Sequence, residues 1–126
     1  MGFSMSDVPN PIDLYVPPGA LRLSAEALKD AREFIDAVTA GHGQGHIVLF
    51  DWATSVTVTE QPGATPQPVN DCLMLGAILR SDVPPDAIQT VDGFDFAIMI
   101  PPEILQNSVQ RLIDFDKNAY FKFVLR

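Results

Sequence analysis

One cysteine, Cys72, stands in 126 residues. It cannot close a disulfide within the chain or build an all-cysteine metal cage alone, and it agrees with a reducing compartment. Long apolar runs are missing too. None approaches the roughly 20 residues of a bilayer-spanning helix, and Met1 to Ser6 lacks the charged-then-apolar layout of a secretory signal. The expectation is a cytoplasmic protein without a membrane partner. Basic residues are scarce, 8 Lys and Arg against 16 Asp and Glu for a net charge of −8, and they form no cluster. A phosphate backbone meets no complementary field there, so nucleic acid is not an expected partner.

Catalytic signatures are scarce as well. No G-x-S-x-G turn surrounds any serine, and neither a P-loop lysine nor a dinucleotide fingerprint accompanies the glycines at 41, 43 and 45. Met1-Gly2-Phe3-Ser4-Met5-Ser6 matches the loose myristoylation pattern, but no polybasic segment supplies a second anchor, and a frayed start is the plainer reading.

What is present suits a globular domain. Apolar residues make up 47% and charged residues 19%, which disfavours disorder over most of the chain. Pro9, Pro11, Pro17 and Pro18 make residues 1–20 an extended arm, with Ile12, Leu14, Tyr15 and Val16 laid on the body. Residues 21–126 read as one domain. Leu21-Arg22-Leu23 alternates like a short strand, and Ser24 follows as an N-cap with Glu26 in the first turn. Leu28, Ala31, Phe34, Ile35 and Val38 recur at spacings of three and four, which predicts an amphipathic helix ending near Ala40 before Gly41.

Strands dominate the remainder. Ile47 to Phe50 is an apolar run, Val56 and Val58 alternate with polar residues, and Pro62, Gly63, Pro66 and Pro68 enforce a loop. Cys72 to Leu79 reads as a strand covered on both faces, with Gly76 marking a bulge or close backbone approach. Asp92-Gly93 predicts a hairpin into Phe94 to Ile100, whose Phe94, Phe96, Ile98 and Ile100 share one face. Pro102 then opens a helix predicted to reach Ile113 through Ile104, Leu105, Val109 and Leu112. Ile113 and Phe115, the turn Asp116-Lys117-Asn118, and Phe121 and Phe123 close the chain as a hairpin. The class is α+β, mostly antiparallel, with one long N-terminal helix and a short one near the C-terminus.

Three stretches in this order carry a family resemblance: Leu21 to Val38, Val91 to Pro102, and Leu112 to Phe123. Leu21-Arg22-Leu23-Ser24-Ala25-Glu26-Ala27, the Asp92-Gly93 hairpin with its apolar strand, and Ile113-Asp114-Phe115 before Phe121-Lys122-Phe123 resemble the HesB/IscA-like A-type carriers of iron-sulfur cluster assembly. The resemblance implies a HesB-like fold. It also implies three cluster-binding cysteines, one in C-S-G and two in C-x-C, and these do not transfer. Asp51-Trp52-Ala53-Thr54-Ser55 or Asn70-Asp71-Cys72-Leu73 falls where C-S-G belongs, and Val124-Leu125-Arg126 follows Phe123. The expectation is a degenerate member that acts by binding or interaction rather than catalysis, without a cofactor.

Alternatives stay open. Cys72 could serve as a cluster ligand if several subunits shared it, or could be a buried thiol beside Leu73-Met74-Leu75. His42 and His46 flank Gly43-Gln44-Gly45 with Asp51 beyond, a donor set adequate for zinc or iron in a metal-binding protein or metal-dependent enzyme. The plainer reading is a glycine turn with exposed histidines. The pairs Asp92/Asp95 and Asp114/Asp116 are candidates for paired-carboxylate chemistry or plain turn carboxylates, and Trp52 is a partner anchor or a core edge. A protein partner or a homo-oligomer is compatible with the strands.

Overall fold

The computed structural model describes residues 15–53, 56–59, 61–69, 72–119 and 122–126. Expectations for Met1 to Ser6, Pro9, Pro11, Ile12, Leu14, Thr54, Ser55, Asn70, Asp71 and Phe121 lie outside the described residues.

Strand β1 (Arg22–Leu23) leads into helix α1 (Ala25–His42) through the expected cap. Ser24 has extended backbone, and its Oγ accepts from the Ala27 N–H at 3.1 Å. The helix runs two residues past Ala40 because Gly41 is accommodated within it, and Gly43, at φ 83°, takes the left-handed turn that ends it. Ala27 and Ala31 are fully buried, with Leu28, Phe34 and Ile35 packed around them. Small side chains at the centre of the contact let the helix lie close to the sheet beneath.

That sheet is built from β2 (His46–Ala53), β5 (Cys72–Leu79), β6 (Gln89–Val91) and β7 (Phe94–Met99) in the order β5-β2-β7-β6. Between β2 and β5 the chain forms the small pair β3 (Val56–Val58) and β4 (Gln67–Val69). The 3-10 turns Arg80–Asp82 and Pro85–Ala87 link β5 to β6. After β7 come helix α2 (Pro102–Gln106), β8 (Leu112–Phe115) and β9 (Phe123–Leu125), and a second sheet has the order β1-β8-β9. The fold is α+β with mixed sheets: β1 with β8 and β2 with β7 are parallel, and the other ladders are antiparallel.

The predicted alternation in β7 holds. Phe94, Phe96, Ile98 and Ile100 turn into the main core with Val48, Phe50, Leu73, Ile113 and Phe123. Burying each such large side chain contributes roughly 1.5–3 kcal/mol. Phe50 meets Phe96 and Phe123 edge-on at centroid distances of 6.1 and 5.5 Å. The opposite sheet face has its own smaller cluster of Ile47, Val83, Ala87 and Ala97. Val16 joins the main core and Tyr15 bridges to Met99, so the described end of the arm does lie on the body.

The Asp92-Gly93 turn has φ of 51° and 77°, the doubly positive pair that matches strand twist in a two-residue hairpin. The closing hairpin pairs Ile113 with Leu125 and Phe115 with Phe123.

Three expectations are corrected. Helix α2 stops at Gln106 instead of Ile113. Buried Ser108 accepts from the Arg111 N–H at 3.1 Å, and Arg111 takes a positive φ of 52°, so the backbone turns and Leu112 enters β8. Among the described residues strand β5 is an edge strand, not one covered on both faces: Cys72 and Leu73 are buried, whereas Ala77 and Leu79 are exposed. Gly76 makes no bulge. It pairs with Leu49 in an unbroken register, and an added Cβ would meet only Leu49 O at 4.0 Å.

Candidate functional site

Beyond its alanine contact, the C-terminal half of α1 overhangs the sheet and leaves a cleft of about 360 Å³. Arg32, Ile35, Asp36 and Thr39 form one wall, a single helical stripe at spacings of three and four. The opposing wall comes from Gly45, His46 and Ile47 of β2 and its approach, Arg80 after β5, and Gly93, Phe94 and Asp95 at the start of β7.

The two guanidinium groups are anchored. Arg32 Nη2 donates to the Asp92 carbonyl at 2.6 Å, and its guanidinium lies over the Phe94 ring, 5.6 Å from the centroid. Arg80 Nη1 donates to Asp95 Oδ2, and the Arg80 N–H donates to Gly45 O at 2.8 Å. Thr90 Oγ1 donates to the other Asp95 oxygen at 2.5 Å. The Thr90 hydroxyl first, and the Arg80 guanidinium after it, hold Asp95 below the usual carboxylate range against an opposing effect of burial. The ion pair is half open to solvent, so its value lies in orientation more than in stability.

His46 stands at the base of the cleft as the first residue of β2, opposite Leu79. Its Nδ1 is buried and has no hydrogen-bond partner among the described residues. Leaving such a group unsatisfied costs about 1–3 kcal/mol. Native folds concentrate these departures where something other than stability is served. A larger, more apolar hollow of about 660 Å³ adjoins the cleft, lined by Leu79, Val83, Pro85 and Ile88 and sharing Gly45 and Arg80 with it.

The structure separates the other residues singled out from sequence. His42 is exposed at the end of α1. Asp51 is five residues along β2 from His46, about 17 Å by strand rise, and an odd offset puts the two on opposite faces. Among the described residues no three His, Cys, Asp or Glu side chains gather as a metal site. Cys72 opens β5 opposite Ala53 and is 8% exposed. Trp52 is a core edge, packed against the main cluster beside a hollow of about 230 Å³.

The Asp114 and Asp116 carboxylates serve local structure, whereas Asp95 of the other pair lies in the cleft wall. Asp114 accepts from Arg126 Nε at 2.8 Å and from the Phe115 N–H at 2.9 Å. The Ser24 hydroxyl, then Arg126 and the Phe115 amide, hold its pKa down to about 2. Asp116 Oδ1 accepts from the Asn118 N–H at 2.9 Å, a turn contact. Arg32, Thr39 and Arg80 were not legible as site residues. The stripe 32-35-36-39 beside the buried face was the available signal, but its partners come from strands distant in sequence.

No family model matches the chain, and no curated protein or solved structure matches it. No helix among the described residues is long and apolar enough to cross a membrane.

Proposed function

We propose that the chain is a divergent HesB/IscA-like domain without the cluster-ligand cysteines, acting as a non-catalytic binding or interaction protein related to iron-sulfur cluster assembly. The three stretches that carry the resemblance coincide with β1 and α1, the β6-β7 hairpin, and the β8-β9 hairpin. Resemblance of fold says nothing of activity, so the functional half of the reading rests on the site.

One observation carries it. The sequence holds a single thiol, Cys72, and that thiol is 8% exposed at the start of β5. Iron-sulfur clusters are held by several thiolates, commonly four, and softer donors than carboxylate or carbonyl are needed for iron in that state. The residues present do not fit a cluster. What the molecule offers instead is a polar cleft with anchored donors, Arg32 and Arg80, which binds without needing a nucleophile or a redox group.

The test is cluster transfer. Protein reconstituted anaerobically with ferrous iron and sulfide is mixed with an apo-ferredoxin, alongside the Cys72→Ser variant. The reading predicts no transfer above the protein-free control for either chain. Transfer by the parent chain that Cys72→Ser abolishes would restore the carrier function and sink the proposal.

A further inference from the structure

We propose that the cleft between α1 and the β6-β7 hairpin is a binding site for a small organic oxyanion, a carboxylate or a phosphate monoester, received by Arg32 and Arg80 with His46 and Thr39 beside them.

The hydrogen-bond inventory points to an acceptor-rich ligand. A guanidinium carries five N–H donors. Side-chain bonds use one donor of Arg32, toward Asp92 O, and one of Arg80, toward Asp95. Thr39 adds a hydroxyl, and His46, whose Nδ1 is buried without a partner among the described residues, lines the cleft beside it. On the acceptor side, both Asp95 oxygens are already engaged by Thr90 and Arg80. That leaves the exposed Asp36 as the cleft's other carboxylate, with the Thr39 hydroxyl able to accept as well as donate. Donors outnumber acceptors, and a ligand that completes the set brings oxygen lone pairs.

Geometry agrees with this. Arg32 is stacked on Phe94 and Arg80 is tied to the sheet through Asp95, so both forks are oriented before a ligand arrives. In a chain of net charge −8, two of the eight Lys and Arg and one of the two His line this one cleft, where Asp36 and Asp95 balance the two arginines and leave it without the excess negative charge of the chain as a whole. Ile35 and Phe94 supply an apolar wall, which a bare inorganic ion would leave wet and an organic anion would cover. The volume, about 360 Å³, is at the small end for metabolite sites.

The inference rests on reading the chain as a binding domain, and names its ligand class. Its failure is distinguishable from failure of that reading, because cluster transfer depends on Cys72 and anion titration does not.

The experiment titrates the full chain with benzoate, phenyl phosphate and neutral benzamide while following arginine side-chain N–H and backbone amide resonances. Saturable shifts at Arg32, Arg80, Thr39 and Gly93 are expected with one or both anions and none with benzamide. Which anion binds distinguishes a carboxylate site from a phosphate monoester site. Arg32→Gln and Arg80→Gln, each checked for a native spectrum, are expected to weaken binding at least tenfold, and Lys29→Gln, on an exposed part of α1, to leave it unchanged. Unsaturable shifts, equal binding of benzamide, or affinity unaffected by either arginine substitution would overturn the proposal.

Discussion

Replacing Ser24 with alanine removes two hydrogen bonds at the junction of α1 and β8. The Oγ atom caps the helix by accepting from the Ala27 N–H at 3.1 Å, and the hydroxyl is the largest influence holding the Asp114 pKa at about 2. Loss of a serine N-cap costs about 1 kcal/mol, within roughly 0.5–2. For a chain of this size that corresponds to a fall in Tm of roughly 3–5 °C. The substitution also raises the Asp114 pKa toward its ordinary 3.8, though not fully, because Arg126 and the Phe115 amide remain. The sign of the pH effect follows. A carboxylate whose pKa is depressed by folding stabilises the fold above about 3.8, and that contribution is lost as the pH falls toward about 2. The Ser24→Ala variant therefore loses less additional stability on acidification than the parent chain. Thermal melts at neutral and acid pH, with an NMR titration of the Asp114 carboxyl, read both effects, and Ser24→Thr restores both. A Tm change under ~1 °C together with an unmoved Asp114 titration would refute the reasoning.

Three further perturbations have defined outcomes. Phe50→Ala empties a site that is 0% exposed between Phe96 and Phe123 and should cost roughly 3–5 kcal/mol by urea denaturation; a loss under about 1 would remove this ring from the core. Gln89→Ala withdraws the Nε2–H that meets Val16 O at 3.1 Å, so it should cost about 1–3 kcal/mol and speed hydrogen exchange at the Val16 amide. Unchanged exchange there would mean that Gln89 does not pin the arm. Gly93→Ala forces a side chain to φ 77° and should cost about 1–2 kcal/mol, whereas Asp92→Gly, at φ 51°, should cost nothing or stabilise; equal losses would contradict the turn assignment.

Local chemistry made much of the fold legible. Ser24, the three-four spacing through Ile35, the Asp92-Gly93 turn and the period of two in Phe94 to Ile100 each act within a few residues, and each element formed. The misses involve competition or distance. Ile104, Leu105, Val109 and Leu112 keep helical spacing, but the Ser108 hydroxyl captured the Arg111 N–H and turned the chain, leaving Val109 90% exposed. Cys72 to Leu79 is apolar enough for a central strand, yet its position at the sheet edge depends on which strands flank β2. The parallel pairings, β1 with β8 and β2 with β7, join segments far apart in sequence and leave no local mark. The cleft shares that difficulty. The helix supplies a readable stripe, but His46, Arg80 and Phe94 meet it only through the sheet order.

The central claim is that this chain binds through its cleft and does not carry a cluster. Iron and acid-labile sulfide per chain, measured with the visible spectrum on protein purified without oxygen, test it most directly. The account predicts a colourless protein with neither element in stoichiometric amount. Iron and sulfide in matching amounts, with a visible charge-transfer band lost in Cys72→Ser, would contradict it.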